Sequence, residues 1–187
     1  MTSPGKSPGI LVINAGSSSI KFALYALQGL SPLGQGSIDG IGMRPVLRLG
    51  DSLAGAFTDL PTPPQGVGQD ELLVWLLDSV IAPLPTCEVA AVGHRVVHGG
   101  LHHAHPEQVT EALLDNLEEL VPLAPLHEPY NIAGIRAAQA LWPAVPQVAC
   151  FDTAFHRHQR RLEQLLPIPR RLTDSGIVRF GFHGLSY

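Results

Sequence analysis

The segment Asn14-Ala15-Gly16-Ser17-Ser18-Ser19-Ile20-Lys21 concentrates the anion-binding chemistry of this chain. A glycine turn between two apolar runs can aim backbone N–H groups at an anion. In an extended chain, Ser17, Ser19 and Lys21 fall on one face by the two-residue period. Two hydroxyls and an ammonium on one face make a phosphate clamp. The segment is not a Walker A loop, because GxxxxGK[ST] is absent and it leads into a strand rather than a helix. Serine hydroxyls can also cap their own hairpin turn, and local chemistry leaves both readings open.

Two further charged residues sit where strands end. Arg95 lies in Gly93-His94-Arg95-Val96-Val97-His98-Gly99-Gly100. A guanidinium keeps its charge and grips oxyanions bidentately, whereas its plain alternative is a surface ion pair. Asp152 closes the apolar run Gln147–Phe151, at the strand end where α/β sheets place ligands; a helix cap is the alternative. His94, His98, His102, His103 and His105 crowd into twelve residues. His94 and His98 have the i, i+4 spacing of a zinc pair on a helix. The paired valines and glycines around them argue instead for a strand and a turn, with no cysteine nearby to complete a metal set.

These residues need a scaffold, and the composition supplies one. At 187 residues with 45% hydrophobic and 15% charged residues, the chain buries a core and is not disordered. Its Gly and Pro content, 19 and 17 residues, marks a turn-rich globular chain without collagen-like period. Cys87 and Cys150 make no CxxC pattern or disulfide framework. The first ten residues lack a secretory h-region, and no apolar run is long enough for a membrane span. A cytoplasmic location without membrane partners is therefore expected. Residues 1–152 carry six Lys/Arg against fourteen Asp/Glu, whereas 153–187 carry six against two. The basic stretch (Arg157, Arg160, Arg161, Arg170, Arg171, Arg179) lacks interleaved aromatics for base stacking. It reads as a solvated helix face, and nucleic acid is not expected as a partner.

The pattern along the chain predicts a flexible tail over 1–8 and strands over 9–14, 19–25, about 34–41 and 46–49. Residues 50–68 read as loop. A helix over 69–82 places Leu72, Leu73, Leu76, Leu77 and Val80 on one stripe. A strand over 88–97 follows, then helices over 106–120, with Pro106 at N1, and about 130–141. Strands over 147–152 and 177–182 complete the list. Hairpin strands followed by alternating helix and strand give an α/β fold, a mixed β-sheet flanked by helices.

The clamp segment, within Ile10–Tyr25, resembles the first signature of the acetate kinase family. Four more segments resemble that family in the same order: Gly93–Gly100, Leu123-Ala124-Pro125-Leu126-His127-Glu128-Pro129, Phe151-Asp152-Thr153-Ala154-Phe155-His156, and Phe180-Gly181-Phe182-His183-Gly184-Leu185-Ser186. The resemblance implies an actin-like, ribonuclease-H-like fold. It also implies transfer of the ATP γ-phosphoryl group to acetate, giving acetyl phosphate and ADP. In this light residues 9–187 are expected to form the N-terminal domain of a two-domain, homodimeric kinase whose ATP-binding second domain lies outside this chain.

The resemblance also implies residue roles. Arg95 would hold the carboxylate or the transferring phosphoryl group, and His183 would stabilise charge on that group. Asp152 would be catalytic, helping to place Mg²⁺ or substrate, because acetate is already ionised and needs no general base. Asn14 would lie near Mg²⁺. Ser17, Ser19, Lys21 and His127 would meet the phosphates of ATP, and Val97, Leu126 and Phe182 would form the pocket for the acetate methyl. Two alternatives stay open: a catalytically silent fragment or anion-binding module, and a propionate or butyrate kinase.

Overall fold

Ile10, Leu11, Val12 and Ile13 belong to a strand that pairs on both edges. In the computed structural model, which describes residues 5–186, this strand is β1 (Ser7–Ala15). Part of the tail expected over 1–8 is thus ordered: Ser7 and Pro8 pair with Cys87 and Glu88, and Lys6 Nζ donates to Ala82 O at 3.2 Å. Residues 1–4 lie outside the described residues. A tight turn, closed by Gly16 N donating to Ser19 O at 2.9 Å, leads to β2 (Ser19–Ala26), antiparallel to β1. The antiparallel ribbon continues into β3 (Pro32–Asp39) and β4 (Val46–Leu49).

The chain then crosses over. Residues 51–54 form a single turn, α1 (Asp51–Ala54), where only loop was expected. The helix predicted over 69–82 is α2 (Gln69–Leu76) prolonged by a π-helical turn, Leu77–Ile81. Its predicted stripe is buried throughout. Next, β5 (Cys87–Val96) runs parallel to β1. A second crossover through α3 (Glu111–Leu120) and α4 (Glu128–Leu141) returns the chain to β7 (Gln147–Phe151), parallel to β5.

Two sequence expectations fail here for one reason, the free edge of β7. The helix expected from 106 begins only at Glu111. Glu107–Gln108 instead forms β6, antiparallel to β7, and satisfies that edge. Thr110 ends the extended stretch as N-cap, its hydroxyl accepting from Leu113 N at 3.2 Å. With the β7 edge occupied, the segment 177–182 pairs with no strand and is irregular. After β7 come only short helical turns, among them α5 (Arg161–Gln164) and α6 (Arg170–Asp174).

The sheet order is β4-β3-β2-β1-β5-β7-β6: an antiparallel ribbon joined through β1 to two parallel strands. This is the mixed, helix-flanked sheet of an actin-like, ribonuclease-H-like domain. One face buries Leu11, Ile13, Ile20, Phe22, Leu24 and Val92 under α2 and α4, and Val96, Ala149 and Phe151 under α3 and α4. Burying each of these Leu, Ile, Val and Phe side chains stabilises the fold by about 1.5–3 kcal/mol. The opposite face carries Val12, which is 39% exposed, and the half-buried Ile10, Ala23 and Tyr25.

Candidate functional site

Because β1, β5 and β7 run parallel, their C-terminal ends share one edge of the sheet, where α/β folds bind ligands. An open cavity of about 570 Å³ lies there. Asn14, Ser17, Ser19, Lys21, Arg95, Val97, Leu126, His127, Phe182 and His183 all line it. They come from four separated stretches of chain. Ser17 sits in the turn rather than in an extended strand, so only Ser19 and Lys21 share a strand face. Gly16, Ser18, Leu123, Ala124 and Pro125, which lie in the same motifs but were given no site role, complete the wall.

Asp152 is the one candidate behind the wall. It is 1% exposed, and its carboxylate takes the guanidinium fork of Arg95: Nε at 3.0 and 3.1 Å and Nη2 at 2.5 Å. Arg95 Nη1 donates to Asn14 Oδ1 at 3.0 Å, and Nη2 lies 3.3 Å from His183 Nδ1. Arginine carries only donors, so in this contact His183 Nδ1 is the acceptor. Four of the five guanidinium N–H groups therefore have protein partners, leaving one on Nη1. The bidentate grip expected for an oxyanion is held by Asp152 instead.

This arrangement bears on the metal expectation. The oxygens offered for Mg²⁺, those of Asn14 and Asp152, both accept from a permanent cation, which repels a second one. Among the described residues no group of three or more His, Cys, Asp or Glu side chains could hold a metal ion. The residues present do not fit a protein-held Mg²⁺. Nor do the crowded histidines form a zinc site. His94 lies in β5, its Nε2 2.6 Å from Gln147 Oε1, and burial pushes its pKa down to about 4. His98 Nδ1 accepts from Gly100 N, and burial lowers its pKa too. His103 stacks on Phe151 and meets Glu107.

His183 reaches the site through an unusual backbone. Its φ of 58° is left-handed, a conformation that costs a non-glycine residue energy and recurs at functional sites. The next residue holds it there: Gly184 N donates to Asp152 O at 3.0 Å. A Cβ at Gly184 would lie 2.3 Å from that oxygen, so only glycine permits the approach.

The basic stretch is spread over exposed turns. Arg160 pairs with Glu163, and Arg157 donates to Leu101 O. Both cysteines are free, and no described helix is long and apolar enough to cross a membrane.

Known proteins share this chain and this fold. The family model described as the acetokinase family matches residues 9–187. The acetate kinase of Methylocella silvestris is 42% identical over 95% of this chain and 46% of its own length, and that of Rhizobium meliloti is 44% identical at the same coverage. Among solved structures, a propionate kinase from Francisella tularensis superposes with a TM-score of 0.81 at 32% identity, covering 96% of this chain and 46% of its own. Porphyromonas gingivalis acetate kinase gives 0.79 at 29% identity with the same coverage. The chain thus spans about half the length of the relatives it matches. Matched along nearly all of its length, with ten of its candidate residues lining one cavity, the chain belongs to the acetokinase family.

Proposed function

We propose that this chain supplies the carboxylate- and phosphoryl-handling half of an acetate kinase, which moves the γ-phosphoryl group of ATP to acetate and back. The observation that carries this reading is the convergence of ten candidate residues on one cavity with Arg95 in its wall. The acetate carboxylate is ionised at neutral pH and attacks phosphorus without a general base. Positioning and charge stabilisation are what remain for the protein to supply.

Val97, Leu126 and Phe182 hold the methyl group. The remaining Arg95 N–H and His183 Nε2–H donate to the oxygens of the transferring phosphoryl group. Ser17, Ser19, Lys21 and His127 meet the nucleotide phosphates, and Asn14 and Asp152 orient Arg95. Mg²⁺ is assigned to the nucleotide and to groups outside this chain. A homodimeric, cytoplasmic enzyme belongs to the same reading.

An apolar pocket discriminates one methylene by only about 1–3 kcal/mol, so propionate is a secondary substrate and butyrate a poor one. One observation favours a second reading: the occupied fork of Arg95 suits a catalytically silent module, in which the serine turn and Lys21 are left to meet an anion. Titration of the chain with acetyl phosphate, followed by amide and side-chain NMR, tests the site. Shifts confined to residues 16–21, Arg95 and His183 support it, and an unchanged spectrum at millimolar ligand rejects it. A hybrid joining this chain to the C-terminal half of the Methylocella silvestris enzyme separates the two readings. The silent module predicts binding without acetyl phosphate formation.

A further inference from the structure

Three segments that wall the cavity meet at the first turn of α4: the end of β1, the end of β5 and the loop Leu123–His127. Asn131 is 3% exposed and bridges two of them. Its Nδ2 donates to Ala15 O at 3.0 Å, and its Oδ1 accepts from Val97 N at 2.9 Å. Glu128 is fully buried. Its Oε2 accepts from His98 N at 3.2 Å, while its Oε1 is buried without a partner among the described residues. Where β5 ends, two backbone N–H groups thus find acceptors on one helical turn. The contact runs on to the far wall: the His98 ring meets the rings of Phe180 and Phe182 edge-on, with centroids 4.5 and 5.7 Å away.

We propose that Asn131 and Glu128 are positioning residues that set the apolar wall of the cavity, Val97 directly and Phe182 through His98, and with it the acyl chain accepted. The proposal rests on the carboxylate-site reading given above. Asparagine is the side chain this junction needs, since Ala15 O requires a donor and Val97 N an acceptor. Aspartate, nearly the same shape, offers only acceptors when ionised and would face the Ala15 carbonyl with negative charge. Glu128 needs only a neutral acceptor. Burial drives its pKa up to about 8, so at pH 7 it is chiefly the uncharged acid, and glutamine can replace it.

The test compares Asn131→Asp, Glu128→Gln and Glu128→Leu in the labelled 187-residue chain and in the hybrid enzyme. In the chain, Asn131→Asp and Glu128→Leu should shift the Val97 and His98 amides and weaken the His98–Phe182 ring contact. Core methyl signals of Leu11, Leu72 and Leu76 should hold, and Glu128→Gln should keep the wild-type pattern. In the hybrid, the ratio of kcat/KM for acetate over propionate should move about tenfold in Asn131→Asp, with KM for ATP unchanged. Glu128→Gln should preserve that ratio.

An unchanged ring contact and ratio in Asn131→Asp overturns the proposal, and so does core collapse in step with the wall. Should Asn131→Asp fail to fold, the Glu128→Gln and Glu128→Leu pair decides, and equal behaviour of the two overturns it. A wild-type hybrid without turnover strikes the carboxylate reading, while the ring contact still decides whether these two residues set the wall.

Discussion

Asp152 holds Arg95 by its guanidinium fork, from behind the cavity and almost wholly out of water. This buried carboxylate has both oxygens engaged by the arginine. It fixes the plane of the guanidinium and lowers the cost of burying its charge. The remaining Nη1 N–H and the field of the cation are what the cavity receives.

Replacing Asp152 by Asn removes the charge and one acceptor while keeping the shape. Breaking a buried ion pair costs about 3–5 kcal/mol. Arg95 retains partial solvent access, so the loss should be about 2–3 kcal/mol, read from urea denaturation. In the hybrid enzyme kcat should fall more than KM for acetate, and equal changes in both would argue for direct substrate binding by Asp152.

Gly184→Ala puts a methyl group against Asp152 O and drives the His183 segment away from Arg95. About 1–3 kcal/mol of stability should be lost, with an about 10²-fold fall in hybrid kcat from misplacement of His183. Retention of full kcat would remove His183 from the reacting centre.

Lys21 lines the cavity beside the serine turn, so Lys21→Ala should raise KM for ATP steeply and leave KM for acetate nearly unchanged. The wild-type advantage should shrink as salt is added, because the lysine is exposed. A rise in KM for acetate alone would reassign it.

The pH dependence of stability has a defined sign. Glu128 has its pKa raised to about 8 by burial, from an ordinary 4.5. Between these values the folded chain holds a proton that the unfolded chain has lost. Its stabilisation is complete below about pH 4.5 and declines as pH rises towards 8. His94, lowered to about 4, acts oppositely: its contribution is complete above pH 6.5 and is lost as pH falls to 4. In wild type the two oppose each other between pH 4.5 and 6.5. Thermal melts of Glu128→Gln should show a steeper rise in Tm over that range and no Glu128-linked fall from 6.5 to 8. Parallel wild-type and variant profiles would contradict the assignment.

Thr110→Ala removes the N-cap hydroxyl of α3, outside the cavity lining, and should cost about 1 kcal/mol without altering hybrid kinetics.

Periodicity made the hairpin strands and the Leu72–Val80 stripe legible in the sequence, because burial on one face leaves a local repeat. The β6 edge strand and the irregular 177–182 segment were not legible, since both depend on which residues occupy the β7 edge. The same division holds at the site. Residue types in ordered motifs brought ten cavity residues to notice. They did not disclose that Arg95 already uses its fork on Asp152, or that Asn131 joins Ala15 to Val97, 116 and 34 residues away in sequence. Those relationships arise only when β1, β5 and α4 come together.

The most direct test is acetyl phosphate formation from ATP and acetate by the hybrid enzyme, wild type against Arg95→Ala, with folding of both verified by circular dichroism. Turnover in the wild type and a loss of about 10³-fold or more in the variant is the predicted result. A folded wild-type hybrid that forms no acetyl phosphate, or an Arg95→Ala variant that forms it at the wild-type rate, would contradict it.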